Sequence, residues 1–95
     1  MAKKPVIVTV GTPDRCVIFG HADGPVKPGD SPKLIKARMV LYWSKECGGL
    51  FGLAANGPKT NTRLTAPVTT WTGEVTRVIA VSAKVAKELD RWPIA

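Results

Sequence analysis

The stretch "ADGPVKPGDSP" (residues 22–32) sets the first limit on how this chain folds, because it packs three prolines and two glycines into eleven residues. Proline removes the amide donor that a helix or sheet interior needs, so the stretch is a connection rather than an element. Loops of this length without structure are uncommon and are often mobile or functional, so a flexible surface loop is expected here. What precedes it reads as a hairpin. "PVIVTV" (5–10) is short and β-branched, "GTPDR" (11–15) carries Pro13 and Asp14 in turn positions, and "CVIFGH" (16–21) returns.

After the loop comes "ARMVLYWSKECGGLFGLAANGP" (37–58), the densest apolar stretch. Ile35, Ala37, Met39, Leu41 and Trp43 occupy successive odd positions, while Lys36 and Arg38 begin the even set and Val40 and Tyr42 end it. That period of two predicts a strand, wet on one face at first and buried on both faces later. Gly48-Gly49 ends it. "LFGLAANG" (50–57) has helical spacing, and Asn56-Gly57-Pro58 supplies a stop, so a short helix is expected. "RLTAPV" (63–68) predicts a short strand with Pro67 near its end, and Thr72-Gly73 a turn. "EVTRVIAV" (74–81) predicts a strand with Val75, Ile79 and Val81 on one face. Ser82 is a good N-cap for a helix over 83–92 that Pro93 stops.

These elements predict a single domain of mainly β (α+β) class. It is a small antiparallel sheet or partial barrel of five to six strands, with a short middle helix and a C-terminal helix. Ninety-five residues suffice for one core without metals or disulfides. Cys16 and Cys47, the only cysteines, form no CxxC pair, and two buried thiols in a reducing compartment are expected. No apolar run approaches the ~18 residues of a membrane span, so no membrane partner is expected.

Charge is the clearest compositional signal. Fourteen Lys and Arg stand against seven Asp and Glu, a formal net charge of +7 that favours polyanionic partners. The excess is spread over the whole chain, but it is densest where Lys27, Lys33, Lys36, Arg38 and Lys45 meet only Asp30. These five, with Trp71 set between threonines beside a turn, are the candidate ligand-binding residues. A solvated basic surface is the competing account of the same lysines.

Catalytic patterns are missing. The single histidine, His21, has Asp23 two residues away but no nucleophile near it in sequence, and a partly exposed structural role is expected. His21, Cys16 and Cys47 are too few for a closed structural zinc site, so no metal and no cofactor are expected. Gly48, Gly49, Gly52 and Gly57 lack the long following helix of a dinucleotide fingerprint. Trp43 and Trp92 are assigned to the core.

Within "ARMVLYWS…LFGLAANGP" and "RLTAPVTTWTGEVTRVIAVSAKVAKEL", a basic residue precedes an aromatic cluster, and a leucine-rich turn ends in Ala and Gly. A Pro-Val strand, an alternating strand and a short C-terminal helix follow. In that order the chain resembles small phage and prophage proteins grouped only as a domain of unknown function. The matching positions include Ala37, Arg38, Tyr42, Trp43, Leu50, Leu53, Ala54, Gly57, Pro67, Val68, Glu74, Val75 and Ile79, and they span about two-thirds of the chain. Leu41 stands where that pattern favours an aromatic, and Arg77 where it leans acidic.

The resemblance implies a phage origin and a host-cytoplasm setting, and it carries no catalytic residue. The expected function is a non-enzymatic accessory protein that binds a host protein or an anionic ligand, such as a nucleotide signal or an acidic protein surface. Nucleic-acid binding is one alternative, and a virion decoration or connector protein is another. A sheet this small leaves edges unless it closes, so a homo-oligomer is a further expectation.

Overall fold

A computed structural model describes residues 4–11, 15–43, 48–59 and 61–95. It shows an open antiparallel sheet of six strands with two helices. The strands are β1 (Lys4–Val10), β2 (Cys16–Ala22), β3 (Lys33–Tyr42), β4 (Arg63–Leu64), β5 (Val68–Trp71) and β6 (Val75–Ala80). The helices are α1 (Gly49–Asn56) and α2 (Ala83–Arg91). Among the described residues, no helix is long and apolar enough to cross a membrane.

The main path runs β4-β3-β2-β1-β6. β1 and β2 form the predicted hairpin, from Lys4↔Ala22 to Val10↔Cys16. The expected turn at Pro13 and Asp14 lies outside the described residues. β3 is long enough to take two partners on one edge. β5 pairs with its first half (Lys33↔Trp71, Leu34↔Thr70, Ala37↔Val68), and β4 pairs with its second (Val40↔Leu64).

Alternation along β1 divides the interior into two clusters. Val6, Val8 and Val10 point to one face, where they meet Ile18, Ala22, Leu34, Ala37 and Val75. Ile7 points to the other with Phe19, Val40 and Leu64, and α1 and α2 cover this face with Leu53, Ala54, Val85, Ala86 and Leu89. Fully burying one such aliphatic side chain stabilises by roughly 1.5–3 kcal/mol, so the helix-covered face holds the larger share of the core. Ser82 caps α2 as its sequence predicts, its Oγ accepting from the Val85 amide at 3.2 Å.

Two bulges correct the face assignments that strict alternation suggests. Between Leu34 and Ala37, β3 carries one more residue than β2 and β5 do, and Lys36 there adopts φ 53°. The extra residue brings Leu34 onto the same face as Ala37 and turns Val40 toward the helices. The odd set is therefore not a buried face: Met39 and Leu41 are exposed, and so is Tyr42. Along β6, an extra residue against Thr9 and Val10 of β1 sends Val75 to one cluster and Ile79 to the other.

The proline-rich loop also departs from expectation, because it is tied down. The Gly29 amide donates to the Val75 carbonyl, the Val75 amide to the Asp30 carbonyl, and the Thr72 amide to the Pro32 carbonyl. Asp30 Oδ2 accepts from the Lys27 amide at 2.9 Å, closing a local turn, and Val26 packs on the second cluster. Proline keeps the segment out of regular structure but leaves its carbonyls able to accept.

Candidate functional site

β5 follows Pro67 and pairs only with β3, so both its backbone edge and its outer side chains face outward. The register sets Lys33 opposite Trp71. The Lys33 Nζ lies over the indole ring, 5.2 Å from its centroid, while Trp71 itself stays 68% exposed. A cation over an exposed aromatic face is worth about 0.5–1 kcal/mol, enough to bias the rotamers of both side chains.

Beside this pair lies a groove of roughly 410 Å³. Its floor is Ile18 and Ala37 from the second core cluster, and its walls are Met39, Val68, Trp71 and Cys16. Thr65, Thr70 and Thr72 add polar rim atoms. The size falls within the range of small-molecule sites, which are mostly apolar with a few placed polar groups. β5 pairs with only the first half of β3, and Met39 beyond that ladder stays exposed in the groove.

Each threonine hydroxyl has a backbone carbonyl within reach, and only the Thr72 contact is short. Thr65 Oγ1 donates to the Ala66 carbonyl at 3.3 Å, Thr70 Oγ1 to the Trp71 carbonyl at 3.2 Å, and Thr72 Oγ1 to the Gly73 carbonyl at 2.7 Å. A carbonyl can only accept, so what the Thr72 oxygen has left to offer a visitor is lone pairs.

The other candidates lie elsewhere. Lys27 and Lys36 are exposed, Lys27 on the tied loop and Lys36 on the β3 bulge. Lys45 and Cys47 lie outside the described residues. Cys16 is half-buried rather than buried.

Arg38 is 1% exposed. Its Nε donates to the Thr65 carbonyl at 2.7 Å, Nη1 to the Leu89 carbonyl at 2.7 Å, and Nη2 to the Pro93 carbonyl at 3.3 Å. Burial pulls its pKa below the ordinary value, and the nearby Asp90 carboxylate offsets part of that. An arginine starts so high that it remains charged. Its charge therefore serves the carbonyls at the end of α2.

His21 is half-buried beside Asp90 and Phe19. Its Nε2 is 3.0 and 3.1 Å from the two Asp90 carboxylate oxygens, and its ring meets Phe19 edge-on at 5.3 Å. Among the described residues no three His, Cys, Asp or Glu side chains gather as metal ligands would. Trp43 and Trp92 are half-buried against the helix-covered core, and Trp92 Nε1 donates to the Thr62 carbonyl at 2.7 Å.

Sequence reasoning picked out Lys33 and Trp71 separately but missed Met39, Val68 and the threonine rim. A signal was available. "PVTTW" sets two hydroxyl residues between Val68 and Trp71 just after a proline, and a proline at a strand start marks the edge of a sheet.

The fold and site define a small α+β domain with a partly covered sheet face and an aromatic–cation pair at its rim. The family described as "Domain of unknown function (DUF6948)" matches residues 3–89, and the chain belongs to that family. No curated protein and no solved structure matches the chain.

Proposed function

We propose that this chain is a small non-enzymatic accessory protein that binds an anionic ligand or an acidic surface of a host protein through the face around Trp71. One observation carries the reading: an exposed tryptophan is paired with the Lys33 ammonium beside an apolar groove. An exposed indole of this size is costly to leave wet, and the cation next to it selects for negative charge. The net charge of +7 works in the same direction by drawing anions toward the whole molecule.

A phage or prophage origin, with action in the host cytoplasm, belongs to the same reading and rests on the sequence resemblance. The neighbouring genes test it: early anti-host neighbours favour it, whereas capsid neighbours favour a virion component. The binding claim is tested by titrating the protein with an acidic polypeptide and with inorganic pyrophosphate while salt rises to about 0.5 M, where the Debye length shrinks to a few ångströms. Affinity is expected to fall with salt and to fall again in Lys33→Glu. An affinity indifferent to ionic strength contradicts the reading.

A further inference from the structure

We infer that the groove beside Trp71 takes a nucleotide, with its base stacked on the indole and its phosphate on Lys33. This rests on the anion-binding reading above and specifies the ligand. Three features select the class together. The indole offers a flat, exposed face next to a groove of roughly 410 Å³, and every nucleobase has a π-face that stacks on an aromatic side chain. Lys33 holds its ammonium over one face of that ring, 5.2 Å from the centroid, where it is the counter-charge for the phosphate of a nucleotide whose base stacks on the other face.

The third feature is the polarity of the rim. Thr72 Oγ1 donates to the Gly73 carbonyl at 2.7 Å, Thr70 Oγ1 has the Trp71 carbonyl at 3.2 Å, and Thr65 Oγ1 has the Ala66 carbonyl at 3.3 Å and accepts from the Met39 amide. The groove thus presents hydroxyl oxygens beside the platform, and the cation sits outside the groove lining, over the platform's ring. The matching ligand carries N–H donors on a planar body and a negative charge at one end. Nucleobases with amino or imino groups have the first and their phosphates the second. A carboxylate side chain of an acidic peptide has the charge without the planar donor-bearing body.

The same chemistry is offered by a free nucleotide and by one unit of a single strand. Two-dimensional NMR of the full chain, following the three tryptophan indole N–H signals with Trp71 assigned from Trp71→Phe, distinguishes them. The probes are adenosine monophosphate, uridine monophosphate, adenosine, a mixed-sequence single-stranded 12-mer, its duplex, and a glutamate-rich peptide of similar charge. The expected result is a shift of the Trp71 signal by the nucleotides or the single strand, with Trp43 and Trp92 little moved. Trp71→Ala is expected to weaken binding about tenfold or more, and Lys33→Gln to weaken nucleotides but not adenosine.

A 12-mer bound no more tightly than the monophosphates assigns the site to free nucleotides, and a much tighter 12-mer assigns it to single strands. Duplex binding equal to single-strand binding overturns the inference, because paired bases have no free face. So does nucleotide binding that survives Trp71→Ala. Binding of the acidic peptide alone, lost in Lys33→Gln, overturns the nucleotide assignment and leaves the anion-binding reading standing. Silence with every probe at low salt overturns both.

Discussion

Arg38 Nη1 donates to the Leu89 carbonyl at 2.7 Å, so a guanidinium from the middle of the sheet closes the C-terminal end of α2. The last four carbonyls of a helix lack intrahelical partners, and a buried end must find others. Here one side chain reaches the Leu89 and Pro93 carbonyls of the C-terminal segment and the Thr65 carbonyl after β4. Arg38→Met keeps much of the volume, removes the guanidinium's bonds to the Thr65 and Pro93 carbonyls, and leaves the Leu89 carbonyl only the 3.4 Å bond from the Trp92 amide. It is expected to lower stability by about 2–4 kcal/mol, since hydrogen bonds to charged groups are worth ~1.5–3 kcal/mol and orphaned buried groups add to that. Arg38→Lys retains the charge but not the planar fork, so it is expected to recover less than half of the loss. Thermal unfolding of the three proteins checks both outcomes.

The order of strands and helices was legible in the sequence because it depends on local signals. β-branched runs, the Ser82 cap and the Asn56-Gly57-Pro58 stop all act within a few residues. Which way the side chains faced was less legible. A bulge costs one residue and reverses every face beyond it, and Lys36 carries no sign of its left-handed backbone in its residue type. Arg38 misleads for a related reason: charge in a sequence suggests water, and only the tertiary placement of the α2 terminus makes a buried guanidinium useful. The pairing of Lys33 with Trp71 joins residues thirty-eight positions apart through the β3–β5 register, which no local pattern encodes. "RLTAPV" has the composition of one strand, but Pro67 cannot donate to a ladder, and the structure divides the segment between β4 and the start of β5.

Gly57 is confined on two counts. Its backbone sits at φ 88°, ψ 176°, a conformation that is open essentially to glycine alone, and a Cβ there would lie 2.9 Å from Glu88 Oε2 of α2. Gly57→Ala is expected to cost about 1–3 kcal/mol. The carboxylate can swing away but the backbone cannot. Gly57→Ala in a Glu88→Ala background is therefore expected to recover less than about a third of the loss, a coupling that a double-mutant cycle in urea measures.

The bulge at Lys36 makes an opposite pair of predictions. At φ 53° the parent lysine already carries the left-handed penalty and a β-branched side chain adds to it, so Lys36→Val is expected to destabilise by a further ~1 kcal/mol. Lys36→Gly relieves the same strain but loosens the unfolded chain, whose extra freedom costs roughly 0.5–1 kcal/mol. It is expected to fall within about 1 kcal/mol of the parent on either side. Chemical denaturation of both variants checks the ordering, and a Lys36→Val protein as stable as Lys36→Gly would contradict a left-handed residue there.

Trp71 gives the exposed face a direct optical handle. It is 68% exposed, whereas Trp43 and Trp92 are half-buried, so a dissolved quencher reaches Trp71 first. The Lys33 ammonium over its ring attracts anions and repels cations. Iodide is therefore expected to quench the fluorescence more efficiently than caesium at equal concentration, and Trp71→Phe to remove most of the quenchable signal. Lys33→Gln is expected to narrow the gap between the two ions without abolishing quenching, because the indole remains exposed when its cation is gone. Equal quenching by the two ions in the parent would mean that the Lys33 charge does not act at the ring, and the face would lose its preference for negative ligands.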